Sequence, residues 1–155
     1  MIKLNKILLV KIKKLVETAV IPAYSKKGDA GMDLTVVDIQ LDDHGNIVYK
    51  TGLAFEIPEG YVGLLFPRSS NAKTNLYLTN HVGVIDSSYR GEIMLKYKCI
   101  ESFGKNTYQV GDRVGQIIIL PYPSIEFEEV EELSVTERGQ GGYGSTGNWE
   151  YICCW

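Results

Sequence analysis

The chain has little cysteine, no long apolar run and no surplus of positive charge, and each shortage closes off a class of protein. Its three cysteines, Cys99, Cys153 and Cys154, are odd in number and lack metal-ligand spacing. That argues against a disulfide framework or a zinc site and for a reducing intracellular compartment, expected to be the cytoplasm, or the nucleus if the source is eukaryotic or viral. No stretch approaches the ~20 apolar residues of a membrane helix. The opening MIKLNKILLVKIKKLV is not expected to be a signal peptide, because its apolar run ILLV is broken by Lys11, Lys13 and Lys14 and no small-residue cleavage site follows. A net charge of -3 argues against a broad nucleic-acid surface. Any phosphate site must therefore be local, and neither nucleic acid nor membrane is an expected partner.

What remains is a globular composition, 45% hydrophobic and 23% charged over 155 residues, which is one ordinary domain with a real core. Periodicity divides it into short strand-like runs: LVKIKKLV, DLTVVDIQL, NIVYK, LAFEI, YVGLLF, EIMLKYKCI, RVGQIIILPY and IEFEEV. They are rich in β-branched and aromatic residues, several alternate, and HGN, PEG and GD punctuate them. The one helical candidate is a turn or two near SNAKTNL. Without long amphipathic helices a parallel βαβ sheet is excluded, and the expected fold class is all-β, an antiparallel sandwich or jelly roll. No internal repeat is present. The composition breaks after about Leu133, so residues 1–155 read as a single domain with 134–155 as a flexible, glycine-rich C-terminal arm.

Five short motifs carry chemistry. AGMDL (30–34) sets Asp33 after a glycine turn at a strand start, where a hard cation or its waters could be held. PRSS (67–70) offers Arg68, Ser69, Ser70 and backbone N–H groups as an anion cradle. GVIDSSYRGE (83–92) carries Asp86 and Tyr89 between strand-like segments and reads as a hairpin; GDRVGQIIIL (111–120) sets Gln116 in an apolar strand. RGQGGYGSTG (138–147) places Arg138, Tyr143, Ser145 and Thr146 among five glycines. Singly, each has an ordinary alternative: a turn aspartate, a common loop, an edge-strand glutamine, a tail without a task.

In this order the five resemble the motifs of the trimeric dUTP pyrophosphatase (dUTPase) family, from about Lys13 to Gly147. The resemblance implies a homotrimer of jelly-roll β-barrel protomers with shared active sites, hydrolysing dUTP to dUMP and pyrophosphate with Mg²⁺. It implies that Asp86 orients and activates the attacking water and that Asp33 holds Mg²⁺ through coordinated waters, the metal itself resting mainly on the triphosphate. Arg68, Ser69, Ser70 and Gln116 then bind phosphates, and the hairpin with Gly83 and the Asn80 amide reads uracil. Tyr89 lies under the deoxyribose where a 2′-hydroxyl would clash. In the tail, Arg138 neutralises the terminal phosphate, Gly144, Ser145 and Thr146 hydrogen-bond it, and Tyr143 stacks on uracil. Such a tail needs glycines to fold over a triphosphate and only a few side chains to grip it. Arg90 and Glu92 are read as a structural ion pair as readily as a functional one.

The chain departs from the family in two places. Tyr143 replaces the usual Phe, which keeps a stacking face and adds a hydroxyl, and Ser88 stands where many relatives have a second aspartate after Asp86. The end NWEYICCW has no derivable role. A dCTP deaminase of the same fold would need an acid/base glutamate in place of the Asp86 hairpin. A nucleotide-binding module would bind dUTP without turnover, and a capsid-type jelly roll has no reason to keep five motifs.

Overall fold

The computed structural model describes residues 7–100 and 107–142. The chain divides into two units, residues 1–124 and 125–155.

The described residues of the first unit form ten short strands, β1 (Lys11–Lys14), β2 (Met32–Thr35), β3 (Asp38–Leu41), β4 (Ile47–Lys50), β5 (Leu53–Glu56), β6 (Tyr61–Phe66), β7 (Leu76–Leu78), β8 (Gly83–Ile85), β9 (Met94–Cys99) and β10 (Arg113–Pro121). One sheet has the order β2-β10-β6-β8, a second β3-β4-β9-β7, and β1 pairs β5 separately. Every pairing is antiparallel. The fold class is all-β, as the sequence pattern predicts. A 3₁₀ turn at Ser69–Lys73 occupies the place of the expected helical piece. No helix among the described residues is long and apolar enough to cross a membrane.

Strand alternation explains where the core sits. In β9 the burial runs exposed, buried, exposed, buried from Met94 to Tyr97, so Leu95 and Tyr97 face inward while Lys96 stays outside. They meet Leu34, Val114 and Ile117 of the other sheet in one cluster that also takes Tyr49, Leu53, Leu76 and Leu78. Removing each such side chain from water contributes about 1.5–3 kcal/mol. The β3–β4 turn is fixed locally, because the Asp42 carboxylate accepts from the backbone N–H of His44 and from both the N–H and side-chain amide of Asn46, at 2.9–3.1 Å.

Two expectations are corrected. DLTVVDIQL is two strands rather than one run: the Val36 N–H turns to the Asp112 carbonyl and the Val37 N–H to the Lys50 carbonyl, so the chain changes sheets between them. IEFEEV (125–130) is not a strand. It has strand-like residues, but no strand among the described residues of its own unit offers it a ladder, and Ile125 and Phe127 stay exposed. β-propensity without a partner's N–H and C=O groups does not make a strand.

The described part of the second unit is a chain of bends closed by turns. Gly139 N–H donates to both the carbonyl and the hydroxyl of Thr136, and Gly141 N–H donates to the Arg138 carbonyl.

Candidate active site: two clefts in one chain

The phosphate-side residues come together by register. Gln116 on β10 lies opposite Asp33 on β2 and opposite Phe66 on β6, one residue before Pro67 and Arg68. Its side-chain amide donates to the Pro67 carbonyl at 3.1 Å. Gly31 makes room for it: a Cβ at position 31 would collide with the Gln116 amide oxygen. The glycine of the first motif and the glutamine of the fourth are thus one packing unit.

Asp33 is held by two arginines. Arg68 Nε donates to Oδ1 at 2.8 Å and an Arg113 terminal nitrogen to Oδ2 at 3.1 Å. Arg68 also reaches Ser70 Oγ at 3.3 Å. Arg113 is in place because of a β-bulge: between Arg113 and Gly115 the ladder advances two residues on β10 but one on β2. In a regular strand, residues 113 and 116 would face opposite sides; the extra residue, Val114, brings both onto the face of Asp33. Asp33, Arg68, Ser69 and Gln116, with Gly31, line a cleft of ≈410 Å³.

The segment 83–92, expected as a hairpin, instead connects the two sheets, because β8 pairs with β6 while β9 pairs with β4 and β7; its residues line a different cleft. Asn80, Gly83, Asp86 and Tyr89 surround a space of ≈330 Å³ floored by Leu65, Leu78 and Leu95. Its shape is set by backbone. Val82 N–H donates to the Asn80 carbonyl at 2.6 Å across His81, which takes a left-handed φ of 60°. Tyr89 N–H donates to the Asp86 carbonyl at 3.1 Å, and the Tyr89 hydroxyl to the Glu92 carbonyl at 3.1 Å. The ring crosses so close over Gly91 that a Cβ there would meet its hydroxyl and Cζ. Arg90 and Glu92 are not paired with each other: Arg90 donates to the Ser87 and Tyr89 carbonyls, while Glu92 takes the Gly52 N–H at 2.9 Å and Lys50 at 3.3 Å. Both therefore fasten the connection between β8 and β9.

One chain does not bring the two groups together. β2 and β8 are the opposite edges of their sheet, three strand spacings or about 14 Å apart. Asp33 is level with Phe66, whereas Asp86 follows Ile85, which is level with Gly63. Four residues of offset along the strands add about 13 Å, giving a diagonal on the order of 19 Å. In the second unit, exposed Arg138 donates through Nε to the Gly141 carbonyl at 2.9 Å. Tyr143, Gly144, Ser145 and Thr146 lie outside the described residues, as do Cys153 and Cys154.

The fit of magnesium can be tested on Asp33. No group of three or more His, Cys, Asp or Glu side chains among the described residues could hold a metal ion. A carboxylate has about four acceptor sites, and the two guanidinium groups take two of Asp33's. That suits a magnesium that keeps several waters and rests on phosphate oxygens, and does not suit a cage made of protein.

The comparisons with known proteins agree with this architecture. The dUTPase family model matches residues 17–147. The chain belongs to the dUTPase family. It is 42% identical over 141 residues to the deoxyuridine 5′-triphosphate nucleotidohydrolase of Trichodesmium erythraeum, covering 88% of this chain and 97% of that one. The Anaplasma marginale enzyme of the same name is 41% identical, with 82% and 88% covered. Among solved structures, a Staphylococcus bacteriophage 80alpha dUTPase with dUpNHpp superposes with a TM-score of 0.75 at 31% identity, over 90% of this chain and 99% of that one. A phage phi11 dUTPase of S. aureus, described with a structural Mg(II) ion, gives 0.66 at 29% identity, over 81% and 98%.

The sequence motifs did not disclose Arg113, Gly31 or the Glu92–Lys50 tie as working parts. Arg113 stood inside a quoted motif, but only the bulge shows which way it faces.

Proposed function

We propose that the chain hydrolyses dUTP to dUMP and pyrophosphate at sites assembled from more than one copy, with Asp86 activating the water that attacks the α-phosphorus. Family membership already makes it a dUTP nucleotidohydrolase; the mechanism and the assembly are our reading. The observation that carries it is the split of the site residues between two clefts, with Asp33 and Asp86 at opposite edges of one sheet. A water held by Asp86 cannot reach a phosphate held by Arg68 and Gln116 of the same chain. A neighbouring copy that sets its Asp86 segment against this chain's cradle closes the gap, and a homotrimer does so three times by rotation.

In such a site Arg68, Ser69, Ser70 and Gln116 bind the phosphates, Arg113 keeps Asp33 and Arg68 aligned, and Asn80 and Gly83 read the base. Uracil's N3–H between two carbonyls matches a backbone edge, and cytosine would leave that edge unpaired. Tyr89 packs under the deoxyribose. Asp86 takes the proton of the attacking water. Asp33 would hold Mg²⁺ through water, and the ion when bound screens the charge of the phosphate oxygens. Arg138, Tyr143, Gly144, Ser145 and Thr146 would close over the nucleotide. Removing dUTP and releasing dUMP would limit uracil in DNA and feed dTTP synthesis. A deaminase reading is disfavoured because Glu92, the glutamate at the base cleft, is committed to Lys50 and the Gly52 N–H.

The test mixes two disabled chains. Asp86→Asn and Arg68→Ala proteins are refolded together and mixed oligomers are verified by native mass spectrometry. Sites built in trans recover dUTP hydrolysis in about a quarter of positions; sites built in cis recover none, and that result would sink the assembly. Hydrolysis in ¹⁸O-water should label dUMP, and label in pyrophosphate alone would overturn attack at the α-phosphorus.

A further inference from the structure

The loop that carries Arg68, Ser69 and Ser70 is anchored from beneath by residues that none of the motif roles includes. Its 3₁₀ turn, Ser69–Lys73, has no buried residue, and a short exposed 3₁₀ run has little stability of its own. Asn71 supplies the attachment. Its N–H donates to the Arg68 carbonyl at 2.9 Å and its side-chain amide to the Leu76 carbonyl at 2.8 Å. Its Oδ1 accepts from the Tyr108 hydroxyl at 3.0 Å and from Thr74 Oγ1 at 3.2 Å.

Tyr108 belongs to the core. Its ring is buried and meets Tyr49 and Tyr97 edge to face, with centroids 5.6 and 5.8 Å apart. Tyr97 in turn donates its hydroxyl to the carbonyl of Val114, the bulged residue two before Gln116, at 2.8 Å. One knot of three rings is therefore hydrogen-bonded to both halves of the phosphate cleft, the loop with Arg68 and the strand with Gln116. Burial pushes the Tyr108 hydroxyl above its ordinary range, so it remains a donor across neutral pH.

We propose that Asn71 and Tyr108 are positioning residues of the phosphate cleft, fixing the Arg68–Ser70 loop at the depth that the triphosphate requires. The proposal rests on the dUTPase reading for its ligand, but the anchor can be tested without turnover. Tyr108→Phe is the first variant, because the ring packing survives and only the hydroxyl goes; Asn71→Ala is the second. In Tyr108→Phe, amide exchange at Asn71 and Thr74 should quicken about five- to tenfold, the size of one hydrogen bond, while amides of β6 and β10 keep their wild-type rates. KM for dUTP should rise by a similar factor with kcat within about twofold, and affinity for dUMP, which carries one phosphate in place of three, should fall by less. Combined with Ser70→Ala, the loss should be less than the product of the separate losses, since both act through one loop.

Unchanged exchange in the loop of both variants would overturn the proposal, as would an equal loss of dUMP affinity or strict additivity with Ser70→Ala. A wild-type protein that fails to hydrolyse dUTP would refute the dUTPase reading instead, and the exchange measurement would still decide the anchor.

Discussion

The two clefts of this chain are made in opposite ways. Apart from Leu65 of β6, the base cleft is lined by residues 78–96, a single stretch folded back on itself, and its shape comes from backbone turns at Asn80–Val82 and Asp86–Tyr89. The phosphate cleft joins Asp33, Arg68 and Gln116 from three separate parts of the sequence, and its shape comes from strand register, one bulge and a pair of arginines. A local cleft tolerates changes elsewhere in the sheet, whereas a register-built cleft is lost by a slip of one residue. Substitutions should therefore separate the two.

The largest effect is expected at Asp86. Asp86→Asn preserves shape and should leave dUTP binding near wild type while kcat falls ~10²–10⁴-fold. Near-native turnover in that variant would remove Asp86 from the role of base.

Gly31→Ala should damage only the register-built side. The new methyl displaces the Gln116 amide from Pro67, and a misplaced phosphate ligand should lower kcat/KM by about ten- to a hundredfold. Discrimination between dUTP and UTP should not change, because Tyr89, the proposed sugar contact, lies in the other cleft. A lowered ratio of the two would mean that the clefts are not independent.

The reciprocal variant is Tyr89→Ala, for which the gap in kcat/KM between dUTP and UTP should narrow by about tenfold. An unchanged ratio would rule out Tyr89 as the sugar gate.

A smaller effect concerns alkaline pH. Burial pushes the Tyr49 hydroxyl up to about 12 and raises those of Tyr97 and Tyr108. A group whose pKa is raised on folding stabilises the fold below its unfolded pKa of about 10, and that contribution is lost as pH rises through the folded value. Melting temperature should then drop between about pH 10 and 12, together with the phosphate side that the three rings support. Tyr108→Phe should flatten that drop, and a variant with the wild-type profile would disconnect the rings from it.

Much of the site was legible before the fold. Asp86 and Tyr89 line one cleft, and Arg68, Ser69 and Gln116 share another with Asp33, but GVIDSSYRGE is a connection between two sheets and not a hairpin. The strand pattern also gave the right class, because alternation such as that of Leu95 and Tyr97 is a local property of the chain. It failed at IEFEEV and at the break inside DLTVVDIQL, since each depends on which other strand supplies hydrogen bonds.

The sequence by itself determined the class of fold and the chemical types in each motif, both consequences of residue identity and short spacing. Only the tertiary structure decided that Arg113 joins Arg68 on Asp33, that Gly31 yields its volume to Gln116, and that Asp86 stands at the far edge of the sheet from Asp33. Those depend on register and strand order, and a bulge of one residue, invisible in the composition of a strand, reverses the face of everything beyond it.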